Sequence, residues 1–386
     1  MRMVALLVIT TSLSVSCRSS LQKIFEKKTP HQEYANKLES RGLDDTPEGR
    51  LWLSASNKAL AEPQTITLPH RLQGFFHVDK PRALGLKFLV NRGERINFIL
   101  TKKLGSPLPI YADVFKLNGT NAATVLSVDT SKAEFYFDAD ESGEYLLRLQ
   151  PELFRSGEYN LSVSVGPSLD FPVSGSKAHV GSFWGADREG GRRSHEGIDI
   201  FAPRLTPVVA AADGYVLGVR EGGLGGKTVW LRPANRAVTL YYAHLDRQLV
   251  QEGESVKKGD VIGLVGNTGN AQATAPHLHF GIYTANGPVD PLPFVNTKVK
   301  TAPPVPEKNL VYKVRLKKPL KTASGEQIQM NTTLVPLATT SKGYLLEAPG
   351  GAVVLAPFSS VKSTQDRVAN PSPVELANQG GGSNKF

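Results

Sequence analysis

Cysteine is nearly absent from this chain, because Cys17 is the only one among 386 residues. A single cysteine has no partner for an intramolecular disulfide, which excludes a fold stabilised by disulfide bridges. Long apolar runs are also missing. The most apolar stretch covers residues 3–15, which is shorter than the roughly 20 residues that a membrane-spanning helix requires. Buried apolar cores must therefore stabilise the fold, and the length predicts about two to four domains.

Acidic residues are in the minority. The chain has 35 Asp and Glu against 45 Lys and Arg, which gives a net charge of +10. The basic residues are spread along the chain, and neither a basic stripe nor a nucleic-acid recognition motif is present, so we expect no nucleic-acid partner. A polyanionic polymer and a membrane surface are both compatible with the positive net charge, and the charge does not distinguish between them. Arg192, Arg193, Lys257 and Lys258 are candidates for attracting acidic groups, with a solvated surface as the alternative.

The N-terminal segment has the pattern of an export signal. Arg2 precedes the apolar run, and Cys17 follows it directly after Ser16. This position of Cys17 resembles the lipobox of bacterial lipoproteins, although Ser14 stands where lipoboxes usually carry leucine. The sequence therefore predicts a lipoprotein-type signal peptide over residues 1–17 and lipidation of Cys17, with a plain secretory signal as the alternative. In both cases the mature chain leaves the cytoplasm.

Histidines and a carboxylate recur in a pattern that suits a metal ion. His195 and Asp199 are four residues apart, and His277 and His279 follow later in the chain. Residues i and i+2 of a β-strand point to the same face, so the later pair is predicted to share one face. Catalytic zinc takes three imidazole or carboxylate ligands and leaves a fourth position for water. The four residues offer more ligands than such a site needs.

Two other patterns carry less weight. Residues 222–228 approach a phosphate-binding loop, but Glu221 stands where that motif needs glycine, and a strand follows instead of a helix. A hairpin turn is the favoured interpretation. His70 and His77 lie among apolar residues without carboxylates at ligand spacing, so we interpret both as structural.

Several short motifs occur in a characteristic order. They are His195-x-x-x-Asp199, Tyr242-Ala243-His244-Leu245, residues 253–263, residues 266–270 and Pro276-His277-Leu278-His279-Phe280. Their order and spacing resemble the M23 metallopeptidase family, the lysostaphin-like or LytM-like endopeptidases. The resemblance covers about a third of the chain. It implies an antiparallel β-groove, one zinc ion (Zn2+) per chain, and cleavage of peptide cross-links in bacterial peptidoglycan.

The resemblance also implies roles for single residues. Carried over by position, His195, Asp199 and His279 are the zinc ligands, while His244 and His277 are catalytic residues outside the ligand set. A free imidazole near the metal can accept a proton from water, and a second one can hydrogen-bond a developing oxyanion. The division of these tasks between the two histidines stays open.

Tyr242 and the overall activity each leave alternatives. Tyr242 shares a strand face with His244 by alternation, so its hydroxyl is a candidate contact to substrate or transition state, with a packed aromatic as the alternative. Family members that have lost ligands act as non-catalytic, peptidoglycan-binding activators of other cell-wall hydrolases. This chain keeps every ligand position, which favours an enzyme. A secreted peptidase acting on glycine-rich proteins is a third possibility.

Hydrophobic periodicity predicts an all-β protein of several domains. The stretch before the metal motifs weakly resembles accessory β-sandwich domains of secreted bacterial peptidases, and the stretch after them resembles a bacterial SH3-like wall-binding barrel. The predicted segments are a signal peptide (1–17), a tether with short helices (18–62), a β-sandwich (63–166), an M23-like peptidase domain (172–297), an SH3-like domain (308–362) and a disordered tail (363–386). The expected partners are peptidoglycan and, through the lipid anchor at Cys17, a membrane. The predicted location is the bacterial cell envelope, facing the periplasm or the cell surface.

Overall fold

The computed structural model describes residues 28–368 except 104–107, 120, 189, 192 and 323. About half of the described chain forms β-strands and only 11% is helical, as the all-β prediction requires. The predicted signal peptide, Cys17 and most of the predicted tail lie outside the described residues. Within the described part, no helix combines the length and the apolar content that crossing a bilayer requires.

Two helices precede the first strand. Helix α1 is Pro30–Glu39 and helix α2 is Pro47–Ala61. Each follows a threonine whose hydroxyl caps a backbone N–H of the first turn, and each has proline in that turn. Trp52 of α2 is buried, and its indole N–H donates to the carbonyl of Pro151. The helices expected within the tether are present, but α2 packs against the neighbouring sheet instead of lying free.

The following segment forms two sheets that share one core. Its strands are β1 (Gln64–Thr65), β2 (His70–Phe76), β3 (Leu84–Val90), β4 (Glu94–Lys102), β5 (Ile110–Asn118), β6 (Asn121–Val128), β7 (Glu134–Asp138), β8 (Gly143–Pro151) and β9 (Gly157–Pro167). One sheet has the order β1-β3-β8-β5-β6, and the other contains β2-β9-β4-β7. Leu86 and Leu147 of the first sheet and Phe98 and Leu161 of the second belong to the same buried cluster.

The central segment forms a ten-stranded sheet and a small hairpin. Its elements are β10 (His179–Ser182), β11 (Asp187–Arg188), β12 (Arg193–Ser194), β13 (Ile198–Phe201), β14 (Pro207–Val209), β15 (Gly214–Gly222), β16 (Gly226–Pro233), β17 (Thr239–Gln248), β18 (Ser255–Val256), β19 (Val261–Val265), a 3-10 turn (Gly269–Ala271), β20 (His277–Thr284), β21 (Gly287–Val289) and α3 (Leu292–Val295). The central order is β10-β13-β20-β17-β16-β15-β18, all antiparallel, while β11 pairs only with β12.

The C-terminal strands join the second sheet of the N-terminal segment. They are β22 (Tyr312–Leu316), β23 (Leu320–Lys321), β24 (Gln327–Ile328), β25 (Thr333–Thr340), β26 (Gly343–Glu347), β27 (Val353–Ala356) and β28 (Val361–Arg367), with 3-10 turns at Pro349–Gly351 and Phe358–Ser360. Strand β25 pairs with β2, which makes β27-β26-β25-β2-β9-β4-β7 continuous. Strand β28 pairs with β22, so the predicted tail begins too early: its first residues are held by strand pairing. The SH3-like character of this segment stays a prediction.

Candidate metal centre

Strand pairing brings the two halves of the metal motif together. In the register of β13 with β20, Asp199 lies directly opposite His279, and Phe201 lies opposite His277. On the other side of β20, Ala243 of β17 also pairs with His279. The i, i+2 histidines therefore share one face of a central strand, as expected from the spacing.

The β11–β12 hairpin delivers the third candidate ligand. His195 follows β12 directly, and its backbone N–H donates to the carbonyl of Ala186. The His195 Nδ1–H donates to the carbonyl of Phe183 at 2.8 Å. Because that bond fixes the proton on Nδ1, the lone pair of Nε2 is turned toward Asp199 and His279. A backbone carbonyl on the far nitrogen is the usual way in which proteins orient a metal-binding histidine.

Three polar atoms converge at this point. His195 Nε2, Asp199 Oδ1 and His279 Nδ1 each lie 3.0 Å from the other two. One proton cannot bridge all three contacts, so unshared electron pairs face one another. A cation among them would remove that repulsion. Ligands at about 2.1 Å from a tetrahedral zinc lie roughly 3.4 Å apart, close to the observed separations. The three residues thus form a potential metal site.

A glycine between two of these residues makes room for the third. A Cβ at position 197 would lie 2.6 Å from the His279 ring and 2.7 Å from the carbonyl oxygen of Phe280. Any side chain at Gly197 would therefore displace the His279 imidazole. Within His195–Asp199, the glycine is as necessary to the cluster as the ligands that flank it.

Asp199 is buried yet strongly favoured as a carboxylate. Burial alone would raise its pKa, but hydrogen bonds and charge from His195 and His279 outweigh burial and hold the pKa well below its usual range. Its second oxygen, Oδ2, accepts from the Arg188 guanidinium at 2.5 Å. Oδ1 is thereby left facing the two imidazoles. The same Arg188 nitrogen donates to Ser182 Oγ at 3.0 Å.

Two further histidines stand beside the cluster. The ring of His244 lies 5.1 Å from that of His277 and 5.9 Å from that of His279. His244 Nδ1–H donates to the carbonyl of Thr268, and His277 Nδ1–H donates to that of Ala275, each at 2.9 Å. In both rings Nε2 therefore carries the lone pair. Burial, reinforced by His277 and His279, lowers the pKa of His244 to about 4, so it is neutral at pH 7.

Residues 193–291, which include all five of these side chains, match peptidase family M23. The chain contains an M23 peptidase domain. Over 242 residues it is 26% identical to the peptidoglycan DD-endopeptidase ShyA of Vibrio cholerae, covering 62% of this chain and 51% of that protein. Over 115 residues it is 44% identical to the DD-carboxypeptidase/endopeptidase Mpg of Neisseria meningitidis, covering 30% of this chain and 24% of that protein.

A solved structure is also similar to the M23 domain. It is the catalytic domain of the prophage-encoded M23 protein EnpA from Enterococcus faecalis, studied as a mutant, with 31% identity and a TM-score of 0.28. The match covers 31% of this chain and 94% of that chain. This chain spans about half or less of the length of the curated relatives named above.

The cluster of the M23 domain opens into a groove of about 690 Å³. Its walls combine the candidate metal-binding and catalytic histidines with charged, aromatic and small residues: Ser182, Arg188, Arg193, Ser194, His195, Glu196, Asp199, Phe201, Leu224, Gly225, Tyr241, Ala243, His244, Asn270, Ala271, Thr274, His277, His279 and Tyr283. The groove thus contains every predicted metal-binding and catalytic histidine. Sequence reasoning missed Arg188, because nothing local in the sequence shows that it reaches Asp199.

Tyr242 lies elsewhere, which agrees with the packed-aromatic alternative and not with a contact to substrate. It is fully buried, and its hydroxyl accepts from the backbone N–H of Ala211 at 3.0 Å, so it belongs to the core. Its neighbour Tyr241 lines the groove instead. The reason is the backbone of His244, whose φ of 62° is left-handed. That residue interrupts strand alternation, and His244 turns to the face that Tyr241 and Ala243 already occupy.

Of the basic candidates, Arg193 lines the groove, while the other three lie outside the groove or outside the described residues. Lys257 pairs with Asp213 and Lys258 with Asp170, and neither lysine lines the groove. Arg192 is not among the described residues. Residues 222–226 form the hairpin turn between β15 and β16, as expected.

His77 and His70 belong to the β-sheet segments and not to the M23 groove. His77 is buried and donates to the carbonyl of Pro336 at 2.9 Å. His70 starts β2, and its Nε2 is buried without a hydrogen-bond partner. Both positions agree with structural roles.

Proposed function

We propose that this chain is a zinc-dependent endopeptidase that hydrolyses peptide cross-links or stem peptides of bacterial peptidoglycan. The observation that carries the proposal is the convergence of His195, Asp199 and His279 within 3.0 Å of one another at the base of an open groove. The M23 match and the activities for which the relatives from Vibrio cholerae and Neisseria meningitidis are named support the substrate class.

In this proposal His195, Asp199 and His279 hold the zinc ion. Zinc bound by three protein ligands acts as a Lewis acid that activates water for attack on an amide carbonyl. The chain contributes the orientation of its ligands. Phe183 holds His195 through its carbonyl, and Arg188 holds the outer oxygen of Asp199. Both contacts restrict the ligand side chains before a metal or a substrate arrives.

In this proposal His244 and His277 accept and donate protons. The Nδ1 atom of each ring donates to a backbone carbonyl, so each Nε2 can accept a proton from water or, once protonated, donate one to the leaving amine. A protonated Nε2 can also hydrogen-bond the oxygen that gains charge in the transition state. The low pKa of His244 keeps it in the neutral, proton-accepting form at pH 7.

We also propose that the chain is exported and anchored through lipidated Cys17 to a membrane of the cell envelope, facing the periplasm or the cell surface. This rests on the sequence pattern around Cys17, which lies outside the described residues. The N-terminal sheets and the C-terminal strands would then stand between the anchor and the wall as accessory and SH3-like wall-binding units. Globomycin treatment of expressing cells tests the anchor: the uncleaved precursor should accumulate if Cys17 is lipidated.

Separate removal of a ligand and of a non-ligand histidine tests the activity. His195→Ala should lose both zinc and cleavage of purified sacculi. His277→Ala should retain about one zinc per chain and lose at least about 100-fold in rate, because it removes only a proton-transfer group. Zinc is measured by plasma mass spectrometry, and released muropeptides by liquid chromatography with mass spectrometry.

The exposed His179, which does not line the groove, provides the matched control. His179→Ala should keep both zinc and activity. Loss of zinc from His277→Ala would contradict the assignment of His279 as the ligand. A wild-type protein that binds no zinc and releases nothing from sacculi would point to the non-catalytic activator instead. Cleavage of glycine-rich peptides but not of sacculi would point to the third possibility, a peptidase acting on glycine-rich proteins.

A further inference from the structure

The groove has two chemically different ends. Along β20, His277 and His279 are followed on the same face by Gly281 and Tyr283. In the register with β17, Ala243 lies opposite His279 and Tyr241 lies opposite Gly281. The proton-handling histidines therefore occupy one side of the metal cluster. Tyr241 and Tyr283 occupy the other side, where no function has yet been assigned.

Tyr241 is held rigidly at this second end. Its ring lies 4.2 Å from the ring of Trp230 and 6.1 Å from that of Tyr283, and it meets the ring of the ligand His279 edge-on at 5.9 Å. Trp230 is also its cross-strand partner in β16. Aromatic neighbours on several sides leave the Tyr241 side chain little rotational freedom, so its hydroxyl has a defined position.

The hydroxyl of Tyr241 lies against a glycine of the β15–β16 turn. A Cβ added at Gly225 would lie 2.0 Å from the Tyr241 oxygen, so only glycine leaves room for it. Gly225 and the exposed Leu224 both line the groove. The side chain of Tyr241 thus runs along the groove wall toward this turn, where an extended peptide would pass.

This hydroxyl is free to bind a ligand. The Tyr242 hydroxyl accepts from Ala211, whereas the Tyr241 hydroxyl makes no hydrogen bond with any residue that the structure describes. A tyrosine hydroxyl, with an ordinary pKa of about 10, is protonated at neutral pH and can donate. Its natural partner in a peptide is a backbone carbonyl oxygen.

We propose that Tyr241 is a substrate-binding residue, whose hydroxyl donates a hydrogen bond to a backbone carbonyl of the peptide on the side of the scissile bond away from His244 and His277. The proposal rests on the proposed peptidase function for the identity of the ligand. Trp230 and Tyr283 hold the ring in place, and Gly225 provides the space. The contact forms when the peptide binds, so its loss weakens binding more than turnover.

Substitution of two adjacent tyrosines tests this assignment. Tyr241→Phe removes only the hydroxyl and should raise KM for a purified cross-linked muropeptide dimer by about 3- to 10-fold, the usual range for one hydrogen bond. Its kcat should fall by less than about 3-fold, and its zinc content and Tm should match the wild type. Tyr242→Phe is the matched control. It should lower Tm, because Ala211 loses its acceptor, and leave KM unchanged.

A second variant addresses the same contact from the other side. Gly225→Ala pushes a methyl group into the position of the Tyr241 hydroxyl and should raise KM in the wild-type background. In the Tyr241→Phe background, where the hydroxyl is already absent, the same change should raise KM further by a smaller factor. Equal factors in the two backgrounds would mean that Gly225 acts independently of the hydroxyl and would count against the proposal.

The outcomes separate this proposal from the proposed function. If the wild type cleaves the dimer and Tyr241→Phe has an unchanged KM, the Tyr241 assignment is wrong while the peptidase function stands. If the wild type does not cleave the dimer, the peptidase function fails. Calorimetric Kd values of the wild type and of Tyr241→Phe for the dimer then test the Tyr241 contact. Weaker binding by Tyr241→Phe would then support it. Equal binding, or no binding by the wild type, would overturn it.

Discussion

At the scale of single residues, the proposed metal centre depends on side chains that orient the residues proposed as ligands. Arg188 exemplifies this, since it contacts Oδ2 of Asp199 and leaves Oδ1 for the cluster. Its positive charge also lies close to the site where a cation would bind. Orientation favours metal binding, while charge repulsion opposes it. Loss of a side chain that orients a ligand typically costs 10- to 100-fold in metal affinity, so we expect orientation to dominate.

Removal of the Arg188 guanidinium tests which effect is larger. Arg188→Gln should raise the Kd for zinc by about 10- to 100-fold, because Asp199 can then rotate away from His195 and His279. The measurement is competition with a chromophoric zinc chelator. Arg204→Gln is the matched control, since Arg204 forms an exposed ion pair with Asp246 and does not line the groove. A lower Kd for Arg188→Gln would show that charge repulsion dominates.

At the scale of secondary structure elements, departures from regularity position the groups. Strand β17 would present Tyr242 and His244 on one face if it were regular. The left-handed His244 changes this, and the carbonyls of Gly225 and Thr268 hold it by accepting from its backbone N–H and its Nδ1–H. The residue is therefore held in an unfavourable backbone conformation by contacts on both sides, which is typical of functional sites.

Helix α2 shows the same dependence of an element on its contacts. Besides the bond from Trp52 to Pro151, Ser56 of α2 accepts from Arg148, which also pairs with the buried Asp113. The helix therefore covers a buried ion pair that would otherwise face solvent. These contacts explain why a segment predicted as a tether packs against β8.

Replacement of Trp52 measures how firmly α2 is held. Trp52→Ala should lower the free energy of unfolding by about 3–5 kcal/mol, because it leaves a large cavity and removes the hydrogen bond to Pro151. Leu51→Ala, at a neighbouring position that is 49% exposed, should change it by less than about 0.5 kcal/mol. Urea unfolding followed by circular dichroism gives both values. Equal losses would contradict the packing of α2 described above.

At the scale of the whole molecule, the C-terminal strands extend one of the two N-terminal sheets. The M23 domain makes a polar contact with the N-terminal segment. Arg236 of the M23 domain is largely buried, and it pairs with Asp140 and donates to Ser168 Oγ. Because β25 pairs with β2, a segment expected to fold as a separate wall-binding domain shares a sheet with the N-terminal strands. Movement of the C-terminal strands must therefore also disturb the N-terminal core.

Stability of the whole molecule should depend on pH. Burial, reinforced by the positive charge of Arg148, lowers the pKa of His31 to about 4. Burial, reinforced by the positive charge of Lys342, lowers the pKa of His70 to about 4 as well. In the unfolded chain both titrate near 6.5. Between about pH 4 and 6.5 the unfolded chain therefore binds more protons, so the free energy of unfolding rises with pH and levels off above that range.

Between about pH 4 and 6.5 the free energy of unfolding is expected to rise by on the order of 2 kcal/mol per histidine. Urea unfolding at several pH values, with EDTA present to remove bound metal, measures it. His70→Phe should reduce the rise of the unfolding free energy with pH, and it breaks no hydrogen bond of the buried Nε2, which has no partner in the part of the chain that the structure describes. The lowered pKa of Asp199 affects stability only below about pH 4, outside the measured range. An unchanged slope in His70→Phe would contradict the burial of that histidine.

The sequence by itself determined the all-β class and supplied the five histidine and aspartate candidates that line the groove, because strand alternation and motif spacing are local properties of the chain. Only the tertiary structure decided that Arg188 reaches Asp199, that Tyr241 and not Tyr242 faces the groove, and that β25 pairs with β2. These features depend on contacts between residues far apart in the chain and on one left-handed residue. Local periodicity contains no information about either.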